Sequence, residues 1–125
     1  AALIRARNLY DQVIVSSFNP ISLMRLRGLD GKIRLGLLHD ASLPVDLRTR
    51  FMDELIRPDA LHPERSLVND AYMAWARSYG CPVNVWTVND LFEAERLQAL
   101  GVATVMSDIP DQIMAHLRGT PLVAA

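Results

Sequence analysis

Five short runs of β-branched and aliphatic residues recur along the chain, at Val13–Ser16, Ile33–Leu38, Asp59–Leu61, Val83–Trp86 and Ala103–Met106. Their apolar residues are nearly continuous instead of alternating, the pattern of parallel strands covered on both faces. The third run is the shortest, and its place in the rhythm supports it. Parallel neighbours cannot be joined by a tight turn and need a crossover, usually a helix, so units of about 20 to 26 residues are the expected repeat. The reading is one α/β domain over residues 1–125, built from about five parallel β-α units. Two architectures accommodate them. One is a complete flavodoxin-like doubly wound sheet, towards which periodicity alone leans; the other is part of a (β/α) barrel, whose full form takes about 200 to 250 residues.

Helix signals fill the intervals. Asn19 before Pro20 is a cap followed by a residue that needs no donor in the first turn. Pro44 opens a helix over Val45–Ile56. Ser66–Tyr79 places Val68, Ala71, Tyr72, Trp75 and Tyr79 on one face and stops at Gly80, where a left-handed residue ends the helix. Asp90–Leu100, capped by Asn89 or Asp90, turns Ala94, Leu97 and Leu100 inward and stops at Gly101. Pro110 opens the last helix, and Thr120–Ala125 reads as a frayed tail.

Charge narrows the function. Thirteen basic residues against fourteen acidic ones, with no block of one sign, give no footprint for nucleic acid or an anionic membrane. No stretch has the roughly 20 apolar residues of a membrane span. The single cysteine, Cys81, rules out an intrachain disulfide and suits the cytoplasm, with periplasmic or secreted placement left open. Because Cys81 precedes Pro82 at a strand entry, it reads as a small buried residue.

In either architecture the chemistry lies at the carboxyl ends of the strands. Those positions hold Ser16, Ser17 and Phe18; His39 and Asp40; His62 and Pro63; Trp86, Thr87, Val88 and Asn89; and Ser107, Asp108, Ile109 and Pro110. Two large aromatics at separate strand ends make an apolar wall with hydroxyls beside it.

Four segments carry a resemblance: VIVSSFNP from Val13, LGLL at Leu35–Leu38, VNVWTVN at Val83–Asn89 and GVATVMSDIPD from Gly101. Together they resemble the later part of the glycerophosphodiester phosphodiesterases, over nearly the whole chain. The pairing of a Ser-Ser-Phe strand end with a Trp-Thr-Val-Asn strand end is the specific element. The resemblance implies a (β/α) barrel that hydrolyses a glycerophosphodiester to glycerol 3-phosphate and an alcohol. It also implies a divalent cation, calcium or magnesium, in the intact enzyme, with a histidine pair for acid/base work. The family's His-Arg-Gly after its first strand, Glu-x-Asp after the second with a following His-Asp, and Glu-x-Lys after the third match no position here. By resemblance, the chain carries barrel strands four to eight, holds no metal or catalytic group, and is inactive alone. Phe18 and Trp86 match aromatics lining the glycerol side of the substrate pocket, with Ser17, Thr87 and Asn89 at its rim. Ala103 stands where the family has an acid, so the last strand matches less completely.

Plainer readings stand beside these. Phe18 and Trp86 also suit the core. His39 with Asp40 imitates a catalytic pair but follows the wrong strand. His62 reads as a hydrogen-bonded loop histidine, His116 as a solvated helix residue, and Asp108 as a cap or a pocket residue. Asp53, Glu54, Glu93 and Glu95 read as solvated helix charge. No carboxylate cluster offers a metal cage, and no glycine-rich loop serves a phosphate or dinucleotide. Two open sheet edges favour self-association. The competing reading is a non-catalytic partial barrel that binds a ligand or partner chain, and a flavodoxin-like domain would bind phosphate or flavin.

Overall fold

Strand and helix alternate through the residues described, 1–119, of a computed structural model. The order is α1 (Ala2–Arg7), β1 (Ile14–Ser17), α2 (Pro20–Leu29), β2 (Arg34–His39), α3 (Val45–Arg50), β3 (Ala60–Pro63), α4 (Asp70–Ser78), β4 (Asn84–Val85), α5 (Leu91–Leu100), β5 (Thr104–Val105) and α6 (Pro110–Gly119). The tail expected at Thr120–Ala125 lies outside the described residues. Contacts divide the chain into two compact units, Ala1–His62 and the part from Pro63 onward.

The first unit is organised by a sheet in the order β1-β2-β3. β1 and β2 are parallel, with Ile14 opposite Arg34 and Ser17 opposite Leu37. Each strand neighbours the next in sequence. A flavodoxin-like sheet would instead place its first strand between the second and third, so that alternative is set aside on topology. Leu35, Leu37, Ala60 and Leu61 are buried, as continuous apolar runs demand. β1 departs from that expectation, its residues alternately exposed and half-buried.

Local signals explain the helices of this unit. Asn19 Oδ1 accepts from the amides of Ile21 at 3.0 Å and Ser22 at 3.4 Å, and Pro20 opens α2. The helix expected over Val45–Ile56 stays α-helical to Arg50, then widens into a π turn at Phe51–Leu55 that buries Phe51 and Met52. Arg57 at φ 51 ends it. At the amino end of β2, Asp59 Oδ2 accepts from the Leu35 amide at 2.8 Å and from Arg27 Nη2 at 2.9 Å. The Arg27 guanidinium also donates to the carbonyls of Gly31 and Arg57, which makes this end a structural clasp.

The second unit pairs β4 and β5 in parallel, Asn84 opposite Thr104 and Val85 opposite Val105. Val85 is buried, whereas Thr104 is exposed and Val105 half-buried, so the expectation of two covered faces fails for β5 too, at the limit of a two-stranded pair. The helix expected from Ser66 begins at Asp70. Glu64 caps a short 3-10 turn at Arg65–Leu67 through the Ser66 amide at 2.9 Å, and Asn69 caps α4 through the Tyr72 amide at 2.9 Å. Val68 is buried from the connecting loop, while Ala71 and Tyr79 are exposed and the helix buries Tyr72, Met73 and Ala76 instead. Gly80 at φ 62 and Gly101 at φ 89 terminate α4 and α5. Asp90 Oδ1 caps α5 on the Glu93 amide at 2.8 Å, which settles the choice between Asn89 and Asp90.

Several side chains depart from expectation. Cys81 is half-buried, since it follows the turn at Gly80 instead of entering the strand core. His62 lies inside β3 and is 2% exposed, so it is a core histidine, not a loop one. His116 Nε2 lies 2.6 Å from Glu95 Oε1, because α5 and α6 pack together. Glu93 likewise holds Arg96, at 2.6 Å, and Arg96 Nη1 donates to the Val68 carbonyl at 2.7 Å.

Candidate functional site

At the carboxyl end of β1, Ser17 is half-buried and its Oγ accepts from the Asn19 amide at 3.0 Å. The hydroxyl therefore shapes the turn that leads into α2. Phe18 follows and is 56% exposed, so it is no core aromatic. It borders a cavity of about 350 Å³ whose walls include Leu37, Leu47 and Phe51 and whose polar groups are His39, Asp40 and Ser42. A larger opening of about 420 Å³ lies at the amino end, but the Arg27 and Asp59 groups lining it belong to the structural clasp. The smaller cavity is the candidate, by its apolar walls and its place after the strands.

His39 ends β2 and is buried. Its Nδ1 lies 2.9 Å from the Leu37 carbonyl, a contact in which the ring nitrogen donates, which leaves the lone pair on Nε2. Burial, with Arg48 nearby, lowers its pKa to about 4, so the ring is neutral at neutral pH. Asp40 Oδ1 accepts from the Ser42 hydroxyl at 2.5 Å and the Ser42 amide at 2.9 Å, and these bonds hold the carboxyl below its usual range. His62, one strand over, is also held neutral by burial. Its ring packs onto Gly36, where an added Cβ would come within 2.6 Å of the imidazole.

In the second unit Trp86 is half-buried. Its amide donates to the Pro63 carbonyl at 3.2 Å and its carbonyl accepts from Arg65 at 2.9 Å, which fixes the backbone beneath the indole. Thr87 is exposed. Asn89 does something the sequence reading missed: it ties the end of β4 to the loop after β5. Its Oδ1 accepts from the Asp108 amide at 2.9 Å and the Ser107 hydroxyl at 3.1 Å, and its Nδ2 donates to Asp108 Oδ2 at 2.9 Å. Ser107 Oγ in turn accepts from the Ile109 amide at 3.0 Å. Asp108 thus serves as a partner of Asn89. A signal was present, since an amide ending one strand motif complements the Ser-Asp pair ending the next.

The profile of the glycerophosphoryl diester phosphodiesterase family matches residues 3–112. The chain belongs to this family. Among curated relatives, a glycerophosphodiester phosphodiesterase of Caldanaerobacter subterraneus is 25% identical over 115 residues, covering 92% of this chain and 46% of its own. A solved phosphodiesterase of Oleispira antarctica, in complex with the product sn-glycerol-3-phosphate, superposes with a TM-score of 0.74 at 27% identity over 84% of this chain and 41% of that one. A glycerophosphoryl diester phosphodiesterase structure from Silicibacter pomeroyi shares the fold, with a TM-score of 0.83 at 19% identity over 94% of this chain and 41% of that one. The chain therefore spans less than half the length of these phosphodiesterases. The fold it shares with them is the (β/α) barrel, of which its own strands supply a three-stranded sheet in the first unit and a parallel pair in the second.

Proposed function

We propose that this glycerophosphodiester phosphodiesterase chain is a substrate-binding portion of a barrel whose whole form hydrolyses a glycerophosphodiester to glycerol 3-phosphate and an alcohol. The observation that carries the reading is the family match over residues 3–112, together with exposed Phe18 and half-buried Trp86 at strand ends. In this reading Phe18 in the first unit and Trp86 in the second are each substrate-contact residues, Ser17 shapes the turn after β1, and Asn89 holds the end of β4 through its Asp108 bonds. A complex of the Oleispira antarctica phosphodiesterase with sn-glycerol-3-phosphate supports the ligand class.

The family resemblance brings a divalent cation, calcium or magnesium, and the side chains here do not fit it. Among the described residues no three His, Cys, Asp or Glu side chains converge to hold a metal ion. Asp40, the carboxylate nearest a candidate cavity, has one oxygen bonded to Ser42. The part of this chain is binding and orientation. The chain alone should be inactive. Incubation with glycerophosphocholine and either calcium or magnesium is expected to release no glycerol 3-phosphate, and metal-dependent turnover by the purified chain would overturn that assignment.

Association belongs to the same reading. β1 is an edge strand with Ile14 37% exposed, a template for pairing with another copy. Sedimentation at increasing concentration should show dimers, and a strict monomer would count against pairing. The cavity beside Phe18 favours a second reading, a non-catalytic module that binds a ligand. No helix among the described residues is long and apolar enough to cross a membrane.

A further inference from the structure

Among the described residues β1 has a strand neighbour on one side only, β2, and so has β5, whose neighbour is β4. The hydrogen-bonding phase of each outer edge follows from the bonds on the paired side. The Met106 amide donates to the Val85 carbonyl at 2.8 Å and the Thr104 amide to the Val83 carbonyl at 3.4 Å, so alternation along β5 turns the Val105 amide and carbonyl outward. Leu35 of β2 is engaged on the β3 side, its amide by Asp59 Oδ2 and its carbonyl by the Asp59 amide, both at 2.8 Å. β1 therefore meets β2 through Val15, opposite Leu35, and presents the Ile14 carbonyl and the Ser16 amide outward. A groove of about 200 Å³ runs along β5, lined by Ala94 and Gln98 of α5, Leu117 of α6 and strand residues 102–105. No charged side chain lines it.

The two edges are complementary. With the strands parallel and Val15 beside Val105, the Val105 amide donates to the Ile14 carbonyl and the Val105 carbonyl accepts from the Ser16 amide, whereas a slip of one residue puts the ladders out of phase. The β1 sequence, Ile-Val-Ser-Ser, brings aliphatic surface and no charge to an uncharged groove. Charge then fixes the direction. Asp11 lies three residues before β1, and Arg77 lies at the amino end of β5, where its Nη2 donates to the Leu100 carbonyl at 2.9 Å and stands 3.4 Å from the place of a Cβ on Gly101. Parallel pairing brings Asp11 to the Arg77 end, whereas antiparallel pairing would bring it to the end that holds Asp108, carboxylate against carboxylate. We infer that β1 of a second copy docks on the outer edge of β5, parallel to it and with Val15 beside Val105. The inference rests on the self-association proposed above and names the surface that receives the strand.

The test uses the full chain carrying Cys81→Ser, so that introduced thiols are the only ones. Ile14 and Thr104 are both exposed, so a cysteine at either leaves the core alone. In the inferred pairing they are cross-strand neighbours with Cα atoms about 5 Å apart, inside the range of about 4.4–6.8 Å that a disulfide spans. On mild oxidation, an equal mixture of Ile14→Cys and Thr104→Cys chains should give a disulfide-linked dimer of one chain of each kind, in about tenfold excess over the dimer from either variant alone. Asp11→Arg should weaken association in sedimentation by about two- to tenfold at low salt, and adding Arg77→Asp to the same chain should restore it. Dimers that cross-link as well through Ile14→Cys alone or Thr104→Cys alone would show like strands meeting, which overturns this inference and leaves self-association standing. A strict monomer overturns both. Unchanged association in Asp11→Arg overturns the parallel docking. The hydrolysis assay is independent of every arm.

Discussion

Gly36 and His62 show how one missing methyl fixes a local arrangement. The imidazole occupies the space a Cβ on Gly36 would need, with ring atoms at 2.6, 2.8 and 2.9 Å from that position. Gly36→Ala should destabilise the chain by about 1–3 kcal/mol. In urea titrations the double variant Gly36→Ala/His62→Ala should recover part of that loss, which separates the clash from a general effect on strand propensity. His39 yields a pH prediction. Its pKa falls from an ordinary 6.5 to about 4 on folding, chiefly by burial, so the unfolded chain binds the proton more tightly. Its contribution to stability is complete above the unfolded value and is lost as pH falls from about 6.5 to about 4. The slope approaches about 1.4 kcal/mol per pH unit inside that window. His62 shifts in the same direction for the same reason. His39→Gln should flatten the urea-midpoint profile between those pH values, and an unchanged slope would assign the effect elsewhere. The sequence disclosed that histidines end two of the strands, but not that both are buried and neutral. Burial depends on what packs over a strand end from elsewhere in the chain, which the local pattern at 39–40 does not encode.

At the level of elements, legibility followed the capping residues. α2 and α5 start where Asn19 and Asp90 place them, and α5 stops at Gly101, because each signal had little competition nearby. α4 was misplaced because Ser66 and Asn69 both offer an oxygen, and the competition is decided by Glu64 drawing the Ser66 amide into a separate turn. Asp90→Ala should cost about 1 kcal/mol in chemical denaturation through the lost bond to the Glu93 amide. The Asn89 clasp escaped the sequence reading because its partners lie 18 and 19 residues away, so it shows only when the two strand-end motifs are set against each other. Asn89→Ala removes the acceptor of the Asp108 amide. Hydrogen exchange at that amide should quicken by at least tenfold, with the α2 amides unchanged, and a uniform change across both units would point to global destabilisation instead.

Across the whole molecule, the strand rhythm was readable because parallel units repeat the same constraint, whereas the choice of architecture was not, because periodicity is silent on strand order. Sequential neighbours, β1-β2-β3, decided for the barrel. The same arrangement leaves β1 at an edge. Ile14→Lys would place a charge on that edge and should move a concentration-dependent dimer towards monomer in sedimentation, while leaving the buried side chains of β2 in place. Strand order also bears on synthesis. Within each sheet the strands pair in the order in which they are made, so each waits only for the strand that follows it. The strands of the first sheet are made before the β4 codons are read, so that sheet can grow vectorially, β2 meeting the edge of β1 and β3 the edge of β2.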